Sequence, residues 1–158
     1  VRFHSIRGYK FLKQNTDLPR SILLCALQHH ERMDGSGYPL SVQADKIHPY
    51  AKIIAVADVF DAMTSARNYG RRATPYEAVE VLRSEMVSKL DGQVCAVFID
   101  KLCQQFVGDV VELSDGRRGE VVFLNQFDST RPMVRTSEGS FVDLNKSRDL
   151  SISKMLHS

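Results

Sequence analysis

The sequence has little net charge. Its 158 residues carry a formal charge of +2, and no run of basic residues is long enough to form a patch for a phosphate backbone. The pairs Arg71-Arg72 and Arg117-Arg118 are typical of solvated surface. The composition therefore speaks against nucleic-acid binding, and any anionic partner is expected to be small.

Cysteines and long apolar runs are also scarce. The three cysteines, Cys25, Cys95 and Cys103, are odd in number and lack CxxC spacing, which favours buried free thiols in a reducing compartment. No apolar stretch reaches the roughly 18 residues that a membrane-spanning helix needs, and the first residues show no signal-peptide pattern. We therefore expect a cytoplasmic protein with no membrane span in this chain.

Helical periodicity dominates the first two thirds of the chain. Apolar residues recur at helical spacing after Pro19, Pro75 and Gly92. Residues 49–67 are apolar nearly all round, which predicts a buried helix. Because helical periodicity begins at the first residue and that residue is not methionine, we expect the chain to belong to a longer one. The pattern predicts a mainly α fold with a helical domain at 1–105.

The pattern changes after the helical part. Short β-branched runs are separated by Asp115-Gly116 and again by Glu138-Gly139, and both dipeptides indicate hairpins. We predict a small antiparallel β module at 106–158 with about four strands. A module of this size is marginal alone, so it is expected to pack against the helices.

Two features of the helical part point to chemistry. Residues 28–39 read QHHERMDGSGYP, with His29 and His30 adjacent, and Asp58 lies in the nearly all-apolar helix. Adjacent helical imidazoles can straddle a cavity and bind neighbouring ions, and with carboxylates they suit Fe, Mn, Zn, Co or Ni. The alternatives are the polar end of a helix that runs into a loop and, for Asp58, a helix cap or an ion pair with Arg67.

Three further histidines are isolated in the pattern. His4 lies on the first predicted helix and would supply a third imidazole, although a lone histidine is more often a surface residue. His48 and His157 have no partners in the pattern, and we assign them no role.

Two long motifs together resemble those of the HD-GYP domain family. HHExxDGxGYP is present as HHERMDGSGYP, and IPxxAKIIAVADVFDAMTSxR is present as IHPYAKIIAVADVFDAMTSAR, in order and at a fitting separation. The resemblance covers residues 1 to about 105 and implies the C-terminal part of a helical HD-superfamily domain. It also implies a bacterial signalling hydrolase, namely a phosphodiesterase that cleaves cyclic di-GMP with two or three divalent metal ions. Iron and manganese are the favoured metals.

The resemblance implies a role for particular positions. His4, His29, His30 and Asp58 match metal ligands of the family. No side chain would act as the nucleophile, because water bound to the ions attacks the phosphate in that scheme. Glu31 would not bind an ion itself but would hold the metal-binding side chains in position.

A second group of positions matches the substrate side of the family's pocket. Gly35, Gly37, Tyr38 and Pro39 match the signature loop, where glycine permits close backbone approach and proline stiffens the turn. Contacts with diguanylate cyclase domains through this loop are implied as well. Arg67 matches an arginine that contacts the nucleotide phosphate. The family often continues RPYK, whereas this chain has RNYG, so the proline is replaced and the lysine is absent.

The dyad that gives the superfamily its name is absent from this sequence. No His-Asp pair occurs among the 158 residues, and the resemblance places it upstream of Val1. We expect a cyclic di-GMP phosphodiesterase in the full-length protein, with weak metal binding and little activity for this chain alone. The alternative is a catalytically incomplete relative that senses cyclic di-GMP or docks partner proteins. The β module resembles a small extension seen after some HD-GYP domains, and packing or homodimer contacts are its expected role.

Overall fold

The chain runs from a set of helices into a single sheet. A computed structural model of the protein describes residues 2–15, 17–65, 73–125, 128 and 130–156. Within these ranges it forms five α-helices and five strands. The helices are α1 (His4–Leu12), α2 (Arg20–Gln28), α3 (Pro49–Thr64), α4 (Pro75–Glu85) and α5 (Gly92–Cys103), with short 3₁₀ helices at Ala44–Lys46 and Gln104–Phe106. The strands are β1 (Val110–Leu113), β2 (Arg118–Phe123), β3 (Met133–Thr136), β4 (Phe141–Asp143) and β5 (Ile152–Leu156).

Three helices begin at side chains that satisfy their first backbone amides. The ring of His48 accepts a hydrogen bond from the Tyr50 amide at the start of α3. Thr74 and Glu77 form a reciprocal capping box at the start of α4, and the carboxylate of Asp91 accepts two first-turn amides of α5. The local sequence therefore fixes where these helices start.

The strands form one antiparallel sheet in the order β4-β3-β2-β1-β5. Both predicted hairpins are confirmed. Gly116 connects β1 to β2 with φ +87° and Gly139 connects β3 to β4 with φ +83°, values that favour glycine. The fifth strand, which returns beside β1, is one more than the number predicted.

Helices α3, α4 and α5 share one hydrophobic core with the sheet. Val56, Leu82 and Cys95, one from each helix, are fully buried in the same cluster as Val111 and Val121 of the sheet. The expected packing of the β part against the helices is therefore present. The division of the chain at residue 105 stays a prediction.

Polar contacts join the same two parts. The Arg83 guanidinium of α4 lies 2.8 Å from the Asp128 carboxylate, and the Thr130 hydroxyl donates to the Glu80 carboxylate at 3.1 Å. In each pair, one partner lies on α4 and the other lies in the segment that precedes β3. This segment is thereby held against the helix.

The prediction that α3 is buried on all sides is wrong. Ala51, Ala55 and Val56 are buried, but Ile53 and Ile54 are 52% and 41% exposed. The sequence pattern could not distinguish a helix surrounded by protein from one that packs on a single side, because both are rich in apolar residues. In this structure α3 packs against α2, α4 and α5.

Helices α1 and α2 lie at the edge of the molecule. α1 packs against α2, and α2 packs against α3. Phe3 and Phe11 of the first segment, 68% and 74% exposed, do not enter a core. The position of α1 is therefore set chiefly by α2.

Two of the three cysteines that were predicted to be buried free thiols are buried in the structure. Cys95 and Cys103 are buried free thiols, as expected, whereas Cys25 is only half-buried. Burial raises the pKa of Cys95 to about 11. Of the helices that the structure describes, none has the length and apolar character to cross a membrane.

A valine in β2 tests whether helices and sheet share one core. We expect Val121→Ala to lower the free energy of unfolding by about 2 kcal/mol, since it removes two buried methyl groups. The loss should be visible in the helical signal at 222 nm during urea denaturation. Val97→Ala, at a position 63% exposed on α5, is the matched control and should change little. A helical transition unaffected by Val121→Ala would contradict the common core.

Candidate metal centre

Three imidazoles converge at one point of the structure. His4 is the first residue of α1, while His29 and His30 directly follow the last residue of α2. The Nε2 atom of His4 lies 3.1 Å from that of His29 and 3.0 Å from that of His30. The ligand nitrogens of all three residues lie within 4.8 Å of one another. Sequence-distant histidines are thus brought together by the packing of α1 against α2.

The spacing of these nitrogens fits a bound metal ion. Two imidazole nitrogens that bind one ion at about 2.1 Å each are separated by about 3.0–3.4 Å in tetrahedral or octahedral geometry. The observed separations of 3.0 and 3.1 Å lie in that range. Imidazole donors suit first-row transition metals better than Ca²⁺ or Mg²⁺.

The end of α2 orients the first histidine of the pair. His29 has helical backbone angles at the C-cap, so its side chain lies over the preceding turn. Its Nδ1 atom lies 3.1 Å from the carbonyl oxygen of Cys25, one helical turn earlier. An Nδ1–H that donates to this carbonyl leaves the Nε2 lone pair directed into the cluster, as a metal ligand requires.

His30 meets a carboxylate from a third helix. The Asp58 carboxylate of α3 lies 3.4 Å from Nδ1 of His30, whereas Nε2 of the same ring points to His4. The Asp58 side chain is half-buried, with 32% exposed. This contact can fix the orientation of the His30 ring, as carboxylates do for many metal-binding histidines.

The surroundings of His30 favour its neutral form. Burial in the first place and the neighbouring His29 imidazole in the second lower the pKa of His30 to about 4, although the Asp58 carboxylate acts in the opposite direction. A neutral imidazole is the form that binds metal. At neutral pH His30 therefore has no proton to lose before it can act as a ligand.

The carboxylate of Glu31 is turned to the loop that follows the histidines. This residue is only 2% exposed. Its two oxygens accept hydrogen bonds from the backbone amides of Leu40 at 2.6 Å and Val42 at 3.1 Å. Glu31 therefore holds the chain beyond the Gly-Tyr-Pro sequence close to the end of α2.

The glycines of the loop are required by its path. A Cβ atom at Gly37 would collide with the backbone of His30, Glu31 and Arg32. Gly35 has φ +82°, which also favours glycine. The Tyr38 amide donates to the His30 carbonyl oxygen at 3.2 Å, so the loop folds back onto the histidines. The peptide bond between Tyr38 and Pro39 is cis.

Tyr38 forms one side of the cluster. Its ring is stacked on the His30 imidazole, with centroids 4.6 Å apart and planes at 28°. The Arg2 guanidinium lies 5.6 Å from the centre of the Tyr38 ring. The structure thus places Gly37 and Tyr38 of the predicted loop directly beside His30, while the Gly35 amide donates to the Arg32 carbonyl oxygen and Pro39 follows Tyr38 in the loop.

Some of the remaining sequence assignments fall outside the described residues. They are Arg67, predicted to contact phosphate, the pair Arg71-Arg72, predicted to be solvated surface, and His157. His48, to which the sequence assigned no role, caps α3.

Sequence reasoning missed Gln28. Its side chain is 5% exposed and bridges the backbone of the segment that leads into α3. A signal was present, because Gln28 lies four residues after Leu24 and so shares a face with it on an otherwise apolar helix. A long amide on such a face indicates a buried polar contact.

Comparison with known proteins gives a consistent picture. A family model described as HD domain matches residues 1–94. The chain is 34% identical over 122 residues to a cyclic di-GMP phosphodiesterase of Pseudomonas aeruginosa, an alignment that covers 77% of this chain and 29% of the relative. It is 37% identical over 114 residues to the cyclic di-GMP phosphodiesterase response regulator RpfG of Xanthomonas campestris, covering 67% of this chain and 30% of the relative.

A third relative is named for a different substrate. The chain is 40% identical over 85 residues to a 3'3'-cGAMP-specific phosphodiesterase of Vibrio cholerae, covering 53% of this chain and 20% of the relative. In all three comparisons the chain spans less than a third of the relative's length.

The close approach at Gly37 gives a test of the loop. We expect Gly37→Ala to lower the free energy of unfolding by about 1–3 kcal/mol, as overpacking generally does, and to weaken Co²⁺ binding because the loop contacts His30. Thermal unfolding and Co²⁺ titration measure the two effects. Gly8→Ala is the matched control, since a Cβ there meets no atom within 4 Å. Equal behaviour of the two variants would show that the loop path is not fixed by Gly37.

Proposed function

The chain belongs to the HD domain family, as its resemblance to HD-GYP domains indicated, and we propose that it forms part of a metal-dependent phosphodiesterase that hydrolyses cyclic di-GMP. One observation carries this proposal. The Nε2 atom of His4 lies 3.1 Å from that of His29 and 3.0 Å from that of His30, inside the segment that the family match covers. The similarity to proteins named cyclic di-GMP phosphodiesterases supports the substrate class.

The proposed centre is built from side chains with distinct tasks. His4, His29 and His30 would hold a divalent ion through Nε2. Such ions supply an activated water and neutralise negative charge on phosphate oxygens. The resemblance implies two or three ions, with iron or manganese in the first place, and these expectations stay predictions.

Asp58 belongs to the proposed centre beside His30. The sequence predicts it as a metal ligand, and its position 3.4 Å from Nδ1 of His30 supports a part in orienting that imidazole. The two tasks differ in consequence. A ligand contributes directly to binding the ion, whereas a carboxylate behind the ring contributes a factor of about 10–100 in affinity.

The loop would shape the substrate side of the pocket. Tyr38 covers one face of His30 and presents its ring beside the cluster. Glu31 holds the returning chain through Leu40 and Val42, which keeps that wall in place. Arg67 would neutralise phosphate charge. Action in the cytoplasm, contacts with diguanylate cyclase domains and homodimer formation stay predictions.

The relatives named for cyclic di-GMP match more of this chain than the relative named for 3'3'-cGAMP, which is why cyclic di-GMP is the proposed substrate. The alignments with the Pseudomonas and Xanthomonas cyclic di-GMP phosphodiesterases cover 77% and 67% of this chain, against 53% for the cGAMP-specific relative. Both compounds are cyclic dinucleotides, so the proposed chemistry at the phosphate is the same. An assay with each substrate at equal concentration separates the two.

A histidine substitution tests the proposed function. Because the relatives are longer than this chain, turnover is measured on the full gene product, with metal content determined by elemental analysis. We expect His30→Ala to reduce turnover at least about 100-fold and to lower the bound metal, because a ligand is removed. Val97→Ala, at a position 63% exposed on α5, is the control and should leave turnover and metal content unchanged. Full activity of His30→Ala would overturn the proposal.

The part of Asp58 is tested separately. We expect Asp58→Asn to weaken metal affinity about 10–100-fold while a saturable site remains, because the orienting contact on His30 is lost. Asp61→Asn is the control on the same helix, where Asp61 accepts a hydrogen bond from the Ser65 hydroxyl. Complete loss of metal in Asp58→Asn would instead support direct ligation, and unchanged affinity would remove Asp58 from the centre.

A further measurement distinguishes an enzyme from a sensor that binds cyclic di-GMP without cleaving it. Isothermal titration with cyclic di-GMP reports binding whether or not the dinucleotide is cleaved. Saturable binding by a metal-loaded full gene product that shows no turnover would favour the sensor.

A further inference from the structure

We propose that Gln28 is a positioning residue that locks the histidine pair to the helix carrying Asp58, an inference that rests on the proposed metal centre. Gln28 is the last residue of α2 and directly precedes His29. Its side-chain amide nitrogen donates to the Lys46 carbonyl oxygen at 3.1 Å, and its side-chain oxygen accepts from the His48 amide at 2.9 Å. One side chain thus makes both bonds to the three residues before α3.

Both hydrogen bonds are buried, so they restrict how the end of α2 and the segment before α3 can move relative to each other. Gln28 is 5% exposed, so water cannot readily replace either partner. Loss of one partner leaves a buried donor or acceptor unsatisfied, at a cost of about 1–3 kcal/mol. The amide also cannot rotate without exchanging its donor for its acceptor, so it fixes both the distance and the orientation of the two segments.

A small change in the direction of α3 at its start would displace Asp58 relative to His30. Asp58 lies nine residues after Pro49, which corresponds to about 14 Å along the helix axis. A tilt of about 5° at the start of α3 would therefore move Asp58 by about 1 Å relative to His30. Displacements above about 0.5 Å matter at a metal or catalytic centre. The contact of 3.4 Å between Asp58 and His30 depends on the angle between the two helices.

Gln28 acts on a different part of the chain from Glu31. Glu31 binds the amides of Leu40 and Val42, which fixes the loop beside the histidines. Gln28 binds the segment from Lys46 to His48, which fixes the start of α3. Neither side chain replaces the other.

Cobalt binding to the full gene product tests the proposal without reference to turnover. Visible absorption of bound Co²⁺ reports the arrangement of its ligands, and titration gives the dissociation constant. We expect Gln28→Met, which keeps the size of the side chain and removes both hydrogen bonds, to weaken Co²⁺ binding about 10–100-fold. We also expect the spectrum at saturating Co²⁺ to change, which a general loss of stability would not cause.

The control is the same substitution elsewhere. Gln104 is exposed on the 3₁₀ helix after α5 and donates to the Asp100 carboxylate at 3.0 Å. Gln104→Met therefore also removes a hydrogen bond of a glutamine side chain, and it should leave affinity and spectrum unchanged. A folded Gln28→Met variant with wild-type affinity and spectrum would overturn the positioning role.

A second variant covers the case in which Gln28→Met does not fold. Gln28→Asn retains the amide but is one methylene shorter, so it cannot reach both partners without drawing the segments together. Weaker Co²⁺ binding with an altered spectrum supports the proposal, and unchanged binding by the folded variant overturns it. Failure of the wild-type full gene product to bind Co²⁺ would overturn the metal centre itself and the positioning role with it.

Discussion

The geometry of the centre depends on the hydrogen bonds that the buried carboxylate of Glu31 accepts. This carboxylate accepts the backbone amides of Leu40 and Val42, so the chain that leaves α2 must return within eleven residues to the place where it started. The return is possible because Gly37 lets the backbone pass against His30, Glu31 and Arg32. Tyr38 is thereby placed on the face of His30. The Gly-Tyr-Pro sequence is best understood as the part of the chain that Glu31 holds against the histidines.

The centre lies where weakly packed and strongly packed parts of the fold meet. Asp58 belongs to α3, which contributes Val56 to the core shared by α4, α5 and the sheet. His4 belongs to α1, which packs against α2 at the edge of the molecule. The site therefore combines one side chain on a rigid helix with others whose place is set by local contacts. Hydrogen bonds such as those of Gln28 and of His29 to the Cys25 carbonyl matter most under these conditions, because little core packing supports the histidines directly.

The electrostatics of the cluster agree with its proposed use. Positive charges on neighbouring imidazoles would repel one another strongly, since Nε2 of His4 lies 3.1 Å from that of His29 and 3.0 Å from that of His30. Burial and the neighbouring imidazoles lower the pKa of His30, and the Cys25 carbonyl directs the lone pair of His29 inward. His30 thus presents a neutral nitrogen to the centre of the cluster. A divalent cation satisfies such an arrangement better than a proton shared among the rings.

The sequence by itself indicated the helical part and the two hairpins, and its resemblance to HD-GYP domains supplied the residues proposed for the candidate centre. Periodicity, proline at helix starts and Asp-Gly or Glu-Gly turns are local signals, and the tertiary structure did not override them here. The sequence could not decide that Ile53 and Ile54 face outward, because the apolar pattern of α3 is the same whether one side or every side is covered. Nor could it show that Asp58 meets Nδ1 of His30 rather than Nε2, or that Gln28 reaches Lys46 and His48. Those contacts depend on the angle between α2 and α3, which arises only when both helices pack, and no spacing along the chain records it.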